Sequence, residues 1–231
     1  VFPTHVVNPY LFSKVPYDTE KAFAPITIVS TVSLLLTVNP DLPVKSTQEL
    51  IAFAKANPNK LNYGTVGSGS LGHLGAELFR SMSGTRMTQI AYKGSPQVLS
   101  ALIGGEINMY MVASISGVMP QLKSGRVRAL GVSTKQSLPV LPDVPPIAYA
   151  LPGYEARGWN GILAPAGTPK AIIDKLNREI VKVVRSLDFA QNLTNEGAFA
   201  VGNTPEEFAA VIRADMKKWS AVIKEAGIKG E

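Results

Sequence analysis

The hydrophobic pattern of this chain changes period several times. From Ile26 to Val38 the residues are apolar or β-branched and alternate poorly, which predicts one long strand or two linked strands. At Ser46 the period becomes helical. Ser46 and Glu49 form an S-x-x-E capping box, Leu50, Phe53 and Ala54 supply a buried stripe, and Asn57-Pro58 stops the helix. Short apolar runs then predict strands at Leu61–Val66, Met87–Tyr92, Ile107–Val112 and Val127–Val132. Helical stretches separate them: Leu71–Met82, a helix with Ser95 at N-cap and Pro96 at N1, and a short helix containing Pro120. This strand–turn–helix rhythm is that of a parallel sheet with right-handed crossovers, an α/β fold.

The two ends of the chain are patterned differently. Pro3, Pro9, Pro16 and Pro25 punctuate a loop-rich start, with one short helical turn expected in LFSKVPYDTEKAFAPI. Four prolines between Pro139 and Pro146 mark an ordered crossing loop or a hinge. A strand at Trp159–Ala164 follows. Thr168 is expected to cap the next helix, whose buried face is Ile172, Ile173, Leu176, Ile180 and Val183. The last helix opens on a capping box, Thr204 with Glu207, and carries the stripe Phe208, Val211, Ile212, Met216, Trp219 and Ile223 up to Gly227. Trp219 is read as core. Trp159, close to glycines at a strand start, fits a core position or a pocket wall equally.

The stretch LNYGTVGSGSLGHLGAELF carries the clearest chemistry. A glycine-serine turn, Gly67–Ser70, joins a strand to a helix start, so free backbone N–H groups and the positive helix end face one spot. Thr65, Ser68 and Ser70 add hydroxyl donors, and the expected guest is an anion. Gly67, Gly69 and Gly72 also spell G-x-G-x-x-G. The dinucleotide reading requires an acid near the end of the next strand, and MTQIAY has none. The turns after the next two strands, Lys93 to Ser95 and Ala113-Ser114, would open on the same crevice.

Composition narrows the classes. The 231 residues, 45% of them hydrophobic, can bury the core of one large domain or two small ones. The longest apolar stretch is broken by Thr27, Ser30, Thr31, Ser33 and Thr37, so no bilayer span is expected. No signal-peptide pattern opens the chain, as in a processed or trimmed product. The net charge of +6 is scattered, densest at Lys217–Lys218 and Arg126–Arg128, which argues against nucleic acid and suits a small anion. There is no cysteine, and His5 and His73 have no H-x-x-x-H partner, so no metal site is expected.

Catalysis finds little support. Ser70 and His73 lie three apart at one helix start, where the positive helix end makes histidine a poorer base. No G-x-S-x-G elbow or carboxylate pair accompanies them, and Glu77 and Glu106 lie on a helix and just before a strand. The profile is that of a binder. The alternative is a small α/β hydrolase using Ser70.

Taken in order, several segments resemble one family: THVVNPYLFSKVPYDTEKAFAPITIV, VNPDLPVKSTQELIAFAKANPNKLNYGTVGSGSLGHLGAELF, IAYKGSPQVLSALIGGEIN, LKSGRVRALGVSTKQ, LPDVPPIA, LPGYEARGWNGILAPAGTPKAIIDKLN and TPEEFAAVI. The chain is similar over nearly its whole length to the periplasmic receptors of tripartite tricarboxylate transporters, the Bug or TctC family. The resemblance implies a periplasmic, monomeric solute receptor that is not an enzyme and needs no cofactor. Two lobes close on a small organic carboxylate, a dicarboxylate or aromatic acid, in the cleft between them, and deliver it to membrane transporter subunits. The implied ligand residues are Thr65, Gly67, Ser68, Gly69, Ser70 and His73, then Tyr92, Lys93 and Gly94, then Ala113 and Ser114, with Trp159 near the cleft.

Two departures from the family are visible. Its members have a leading strand and ligand loop before the region of Thr4-His5, so the first lobe is expected to be truncated and unstable alone. MYMVASISG lacks the Asp that some relatives carry, which favours a plain carboxylate over an amino acid. The expected lobes are 1–34 with 151–231, and 35–150.

Overall fold

The computed structural model describes residues 2–230, so the outermost limits of the expected lobes, Val1 and Glu231, lie outside the described residues. The chain forms two compact units. The first comprises residues up to Val32 and from Gly158 onward, and the second is Ser33–Arg157.

The first unit begins with two short helices, α1 (Phe2–Val6) and α2 (Asn8–Leu11). The one helical turn expected between Leu11 and Ile26 lies at residues 18–22, where Ala22 N–H donates to Asp18 O at 2.8 Å and the Asp18 carboxylate accepts the amides of Glu20 and Lys21. Strand β1 (Phe23–Ser33) leads out of this unit, and β2 (Leu35–Val38) belongs to the next. The β-branched run is therefore two linked strands in two sheets.

The second unit holds helix α3 (Thr47–Ala56), β3 (Asn62–Thr65), α4 (Leu71–Ser83), β4 (Thr88–Ala91), α5 (Ser95–Ile103), β5 (Met109–Val112), α6 (Ile115–Lys123) and β6 (Arg128–Val132). Its sheet order is β4-β3-β5-β2-β6. Strands β4, β3 and β5 run parallel, whereas β2 is antiparallel to both β5 and β6. The sheet is thus mixed rather than wholly parallel. The core on its two faces includes Leu50, Tyr63, Leu74, Phe79, Leu102 and Ile147, all fully buried.

The chain returns to the first unit through β7 (Arg157–Pro165), followed by α7 (Lys170–Val184), α8 (Leu187–Asn195), β8 (Ala198–Ala200) and α9 (Pro205–Ala226). Its three-stranded sheet has the order β7-β1-β8. Trp219 is fully buried and packs edge-on against Phe2. Helix α7 departs from expectation. Ile173 and Ile180 turn onto the cluster of Ile26 and Ala164, while Ile172 (49% exposed), Leu176 (39%) and Val183 (59%) lie on a flank that touches solvent. Its cap also differs: Pro169 is the N-cap, and the Thr168 hydroxyl donates to Pro165 O at 2.7 Å.

Candidate functional site

The topology of the second unit brings three turns together. Strands β4, β3 and β5 are neighbours and parallel, so their carboxyl ends lie along one edge of the sheet. The turns leaving them start α4, α5 and α6. Three helix N-termini therefore share that edge, and none of the three helices has an acidic residue in its first turn.

The β3–α4 turn is the most elaborate. Gly67 (φ 91°) and Gly69 (φ 74°) adopt the left-handed backbone that only glycine takes without strain. A Cβ at Gly67 would meet nothing within 4 Å, so that side of the turn is open. Gly72 serves another purpose. A Cβ there would lie 2.7 Å from the carbonyl oxygen of Met111, so glycine lets α4 settle onto β5.

Ser70 is the N-cap of α4. Its hydroxyl accepts from His73 N–H at 3.3 Å and donates to Gly67 O at 3.1 Å. The amides of Ser68, Ser70, Leu71 and Gly72 make no hydrogen bond among the described residues. Ser68 is half-buried, and its hydroxyl is likewise unbonded among them. These groups are the donors the turn can offer a guest.

Other predicted residues support the turn. Thr65 is fully buried, and its hydroxyl accepts from Gln89 Nε2 at 2.9 Å. His73 is 3% exposed, and its Nδ1 accepts Gly69 N–H at 3.2 Å, which puts the ring proton on Nε2. Burial holds the His73 pKa below the ordinary histidine value, with Glu77 pulling it up and Arg80 pushing it down. The acid one turn further along α4 is Glu77, which is engaged. Arg80 Nη1 donates to both its oxygens at 2.6 and 2.7 Å, and the Tyr63 hydroxyl donates to Oε1. Burial first, then Glu77, raises the Tyr63 pKa and keeps that hydroxyl a neutral donor.

At the β4–α5 turn the N-cap is Gly94, in extended backbone (φ −177°), and not Ser95. The helix starts one residue early because the Ser95 hydroxyl is taken by Tyr110, whose OH donates to it at 3.2 Å. Lys93 is exposed, its backbone N–H donates to Gln97 Oε1 at 3.0 Å, and its ammonium makes no ion pair among the described residues. The Tyr92 ring lines a surface groove with Pro96, Gln97, Ser100 and Glu106. At the third turn Ser114 is an exposed N-cap whose side chain makes no cap bond, preceded by half-buried Ala113.

Trp159 lies in the other unit. It is 3% exposed, packs edge-on against Phe2 and Phe208, and donates its indole N–H to Asp215 at 2.9 Å. Its indole sits in the core of that unit. Residues that sequence reasoning passed over are Gln89 and Gln97, which hold Thr65 and Lys93. A glutamine three places after an N-cap was the available signal for Gln97. Among the described residues no group of acids and histidines could hold a metal, and no helix is long and apolar enough to cross a membrane.

Known proteins match nearly the whole of this chain. Residues 1–228 match the tripartite tricarboxylate transporter family receptor, TctC. A UPF0065 protein of Bordetella bronchiseptica is 34% identical over 224 residues, which cover 97% of this chain and 66% of that protein. The chain thus spans just under two thirds of that relative's length. The structure of Rpa4515 of R. palustris, solved with adipate, matches with a TM-score of 0.85 at 34% identity, covering 99% of this chain and 76% of that one. MatC of Rhodopseudomonas palustris, solved with bound malate, matches with a TM-score of 0.79 at 28% identity, covering 96% and 76%. The chain belongs to the tripartite tricarboxylate transporter receptor family, and its fold is that of the family's α/β periplasmic binding proteins. The family is one of receptors, not of enzymes.

Proposed function

We propose that this receptor-family chain captures a small organic carboxylate at the carboxyl edge of β4, β3 and β5 and passes it, in the periplasm, to membrane subunits of its transporter. One observation carries the reading. Three helix N-termini share that edge without an acid in any first turn, and the amides of the turn around Gly67 include four with no partner among the described residues. The amides of Ser68, Ser70, Leu71 and Gly72 would hold one carboxylate, with the Ser68 and Ser114 hydroxyls as further donors. Lys93 would supply the cation for a second carboxylate. Thr65, Gly67, Gly69, Ser70 and His73 shape the first turn, and Tyr92, Gly94 and Ala113 shape the others. The adipate and malate bound to the two R. palustris relatives favour a dicarboxylate. Residues 2–32 with 158–230, and 33–157, would serve as the two lobes of a monomeric receptor.

The test is a thermal-shift titration with adipate, malate and aromatic acids, run beside Rpa4515 as a positive control. A saturable rise with one acid, lost in Ser68→Ala combined with Ser114→Ala, is expected, since a ligand of the native state raises its melting temperature. No shift with any acid, where the control responds to adipate, would overturn the reading.

A further inference from the structure

Helices need an acceptor near their first amides, and the residue three places after the N-cap often supplies it. Helices α3 and α9 use an acid there. Glu49 Oε2 accepts Lys45 N–H at 2.6 Å, and Glu207 Oε2 accepts Thr204 N–H at 2.9 Å. The helices at the proposed anion edge do not. In α4 the third residue after the cap is His73, whose Nδ1 accepts the N–H of Gly69, the residue before the cap. In α5 it is Gln97, whose Oε1 accepts the N–H of Lys93, again the residue before the cap. In α6 it is Gly117, which has no side chain to offer.

We infer that His73 and Gln97 are neutral caps that set the charge selectivity of the edge: each closes its turn as a glutamate would, but leaves the helix N-terminus positive for an anionic ligand. The inference rests on the proposed carboxylate site and names two positioning residues for it. The two bonds also orient the turns. With the Gly69 N–H committed to the imidazole, the amides of Ser68, Ser70, Leu71 and Gly72 are the ones left without a partner among the described residues. A glutamate in either place would keep the bond and cancel the field, because a carboxylate within the first turn neutralises the helix end. The acid already nearest the α4 turn follows the same pattern, since Glu77 is neutralised by Arg80.

The test compares like-shaped caps of different charge on the whole chain: His73→Gln and His73→Glu, with Gln97→Glu, and Glu207→Gln on α9 as control. Two readouts are taken, hydrogen exchange of the Gly69 and Lys93 amides, and titration with adipate, malate and inorganic sulfate. Both amides should be protected in the parent chain and in the glutamate variants, and exposed in His73→Leu and Gln97→Leu. Affinity for the anions should fall about tenfold or more in each glutamate variant, stay within about threefold in His73→Gln, and not change in Glu207→Gln. Equal losses in His73→Gln and His73→Glu would overturn the inference by making the imidazole itself the ligand contact. Unprotected amides in the parent chain would also overturn it, without touching the carboxylate reading. Sulfate bound and then lost in the glutamate variants, with no response to either organic acid, would support the caps and overturn the carboxylate reading.

Discussion

Helices α4 and α9 begin alike and serve different ends. Each starts at a hydroxyl N-cap, Ser70 or Thr204, whose oxygen accepts the amide of the third helical residue. In α9 that residue is Glu207, and with Glu206 beside it the positive helix end is answered by the helix's own acids. In α4 it is His73, no acid lies in the first turn, and the turn before it is built from two left-handed glycines. A well-capped helix start is therefore not by itself a binding site. What distinguishes α4 is which amides remain uncommitted once the cap is satisfied, and that the satisfying group carries no charge.

The two helix starts can be strained hardest through the seating of each helix. Gly72→Ala should destabilise the chain by about 2–3 kcal/mol, because the new methyl meets a backbone carbonyl of β5 that cannot turn aside. Gly161→Ala, under α9, meets the fully buried ring of Phe208, itself packed edge-on against Trp159, so it should cost a similar amount. Urea unfolding measures both, and a cost of Gly72→Ala below about 0.5 kcal/mol would undo this explanation of how α4 is held.

The caps come next. Ser70→Ala and Thr204→Ala should each cost about 1 kcal/mol, the ordinary worth of a hydroxyl N-cap. Only Ser70→Ala should also weaken adipate binding, because the Ser70 hydroxyl ties Gly67 O as well. Equal effects of the two variants on binding would erase the distinction between the helices.

Acidification extends the contrast through His73. Its folded pKa lies below 6.5, chiefly through burial, so the unfolded chain takes up this proton first. Stability from this group is complete above pH 6.5, falls as pH drops from there through the lower folded pKa, and levels off beneath it. The charged groups around it are Glu77 and Arg80 on α4, and the Tyr63 and Tyr154 hydroxyls nearby stay neutral. His5 is shifted the same way, so the difference between the melting curves of His73→Gln and the parent chain isolates the effect. A difference that does not change across that interval would sink it. The smallest effect belongs to Ser68→Ala, which should change stability by less than about 0.5 kcal/mol, since its hydroxyl is unbonded among the described residues.

Much of this was legible in the sequence because it is local. The capping box at Thr204, the glycine turn at Gly67–Ser70, the helix after it and the burial of Trp219 depend on residues a few places apart or on a 3.6-residue stripe, and all stand where the pattern puts them. The absence of acids from the three turns is likewise visible in the residues themselves. At Ser95 local reasoning failed, because Tyr110, fifteen residues away, takes the hydroxyl that would have capped α5.

Other features were settled only when the chain folded. The insertion of β2 between β5 and β6, antiparallel to both, is a non-local pairing that no period in the run Leu35–Val38 specifies. Trp159 went to the core once Phe2, Phe208 and Asp215 closed on it from distant parts of the chain. The apolar residues of α7 could not all be buried, because a straight helix offers a flat sheet one face, and Ile173 and Ile180 took it. Residue order alone was enough for the family, the glycine turn and its lack of charge. It took the folded sheet to make β4, β3 and β5 parallel neighbours and so bring three such turns to one edge, because strand order is set by long-range packing and hydrogen bonding rather than by local preference.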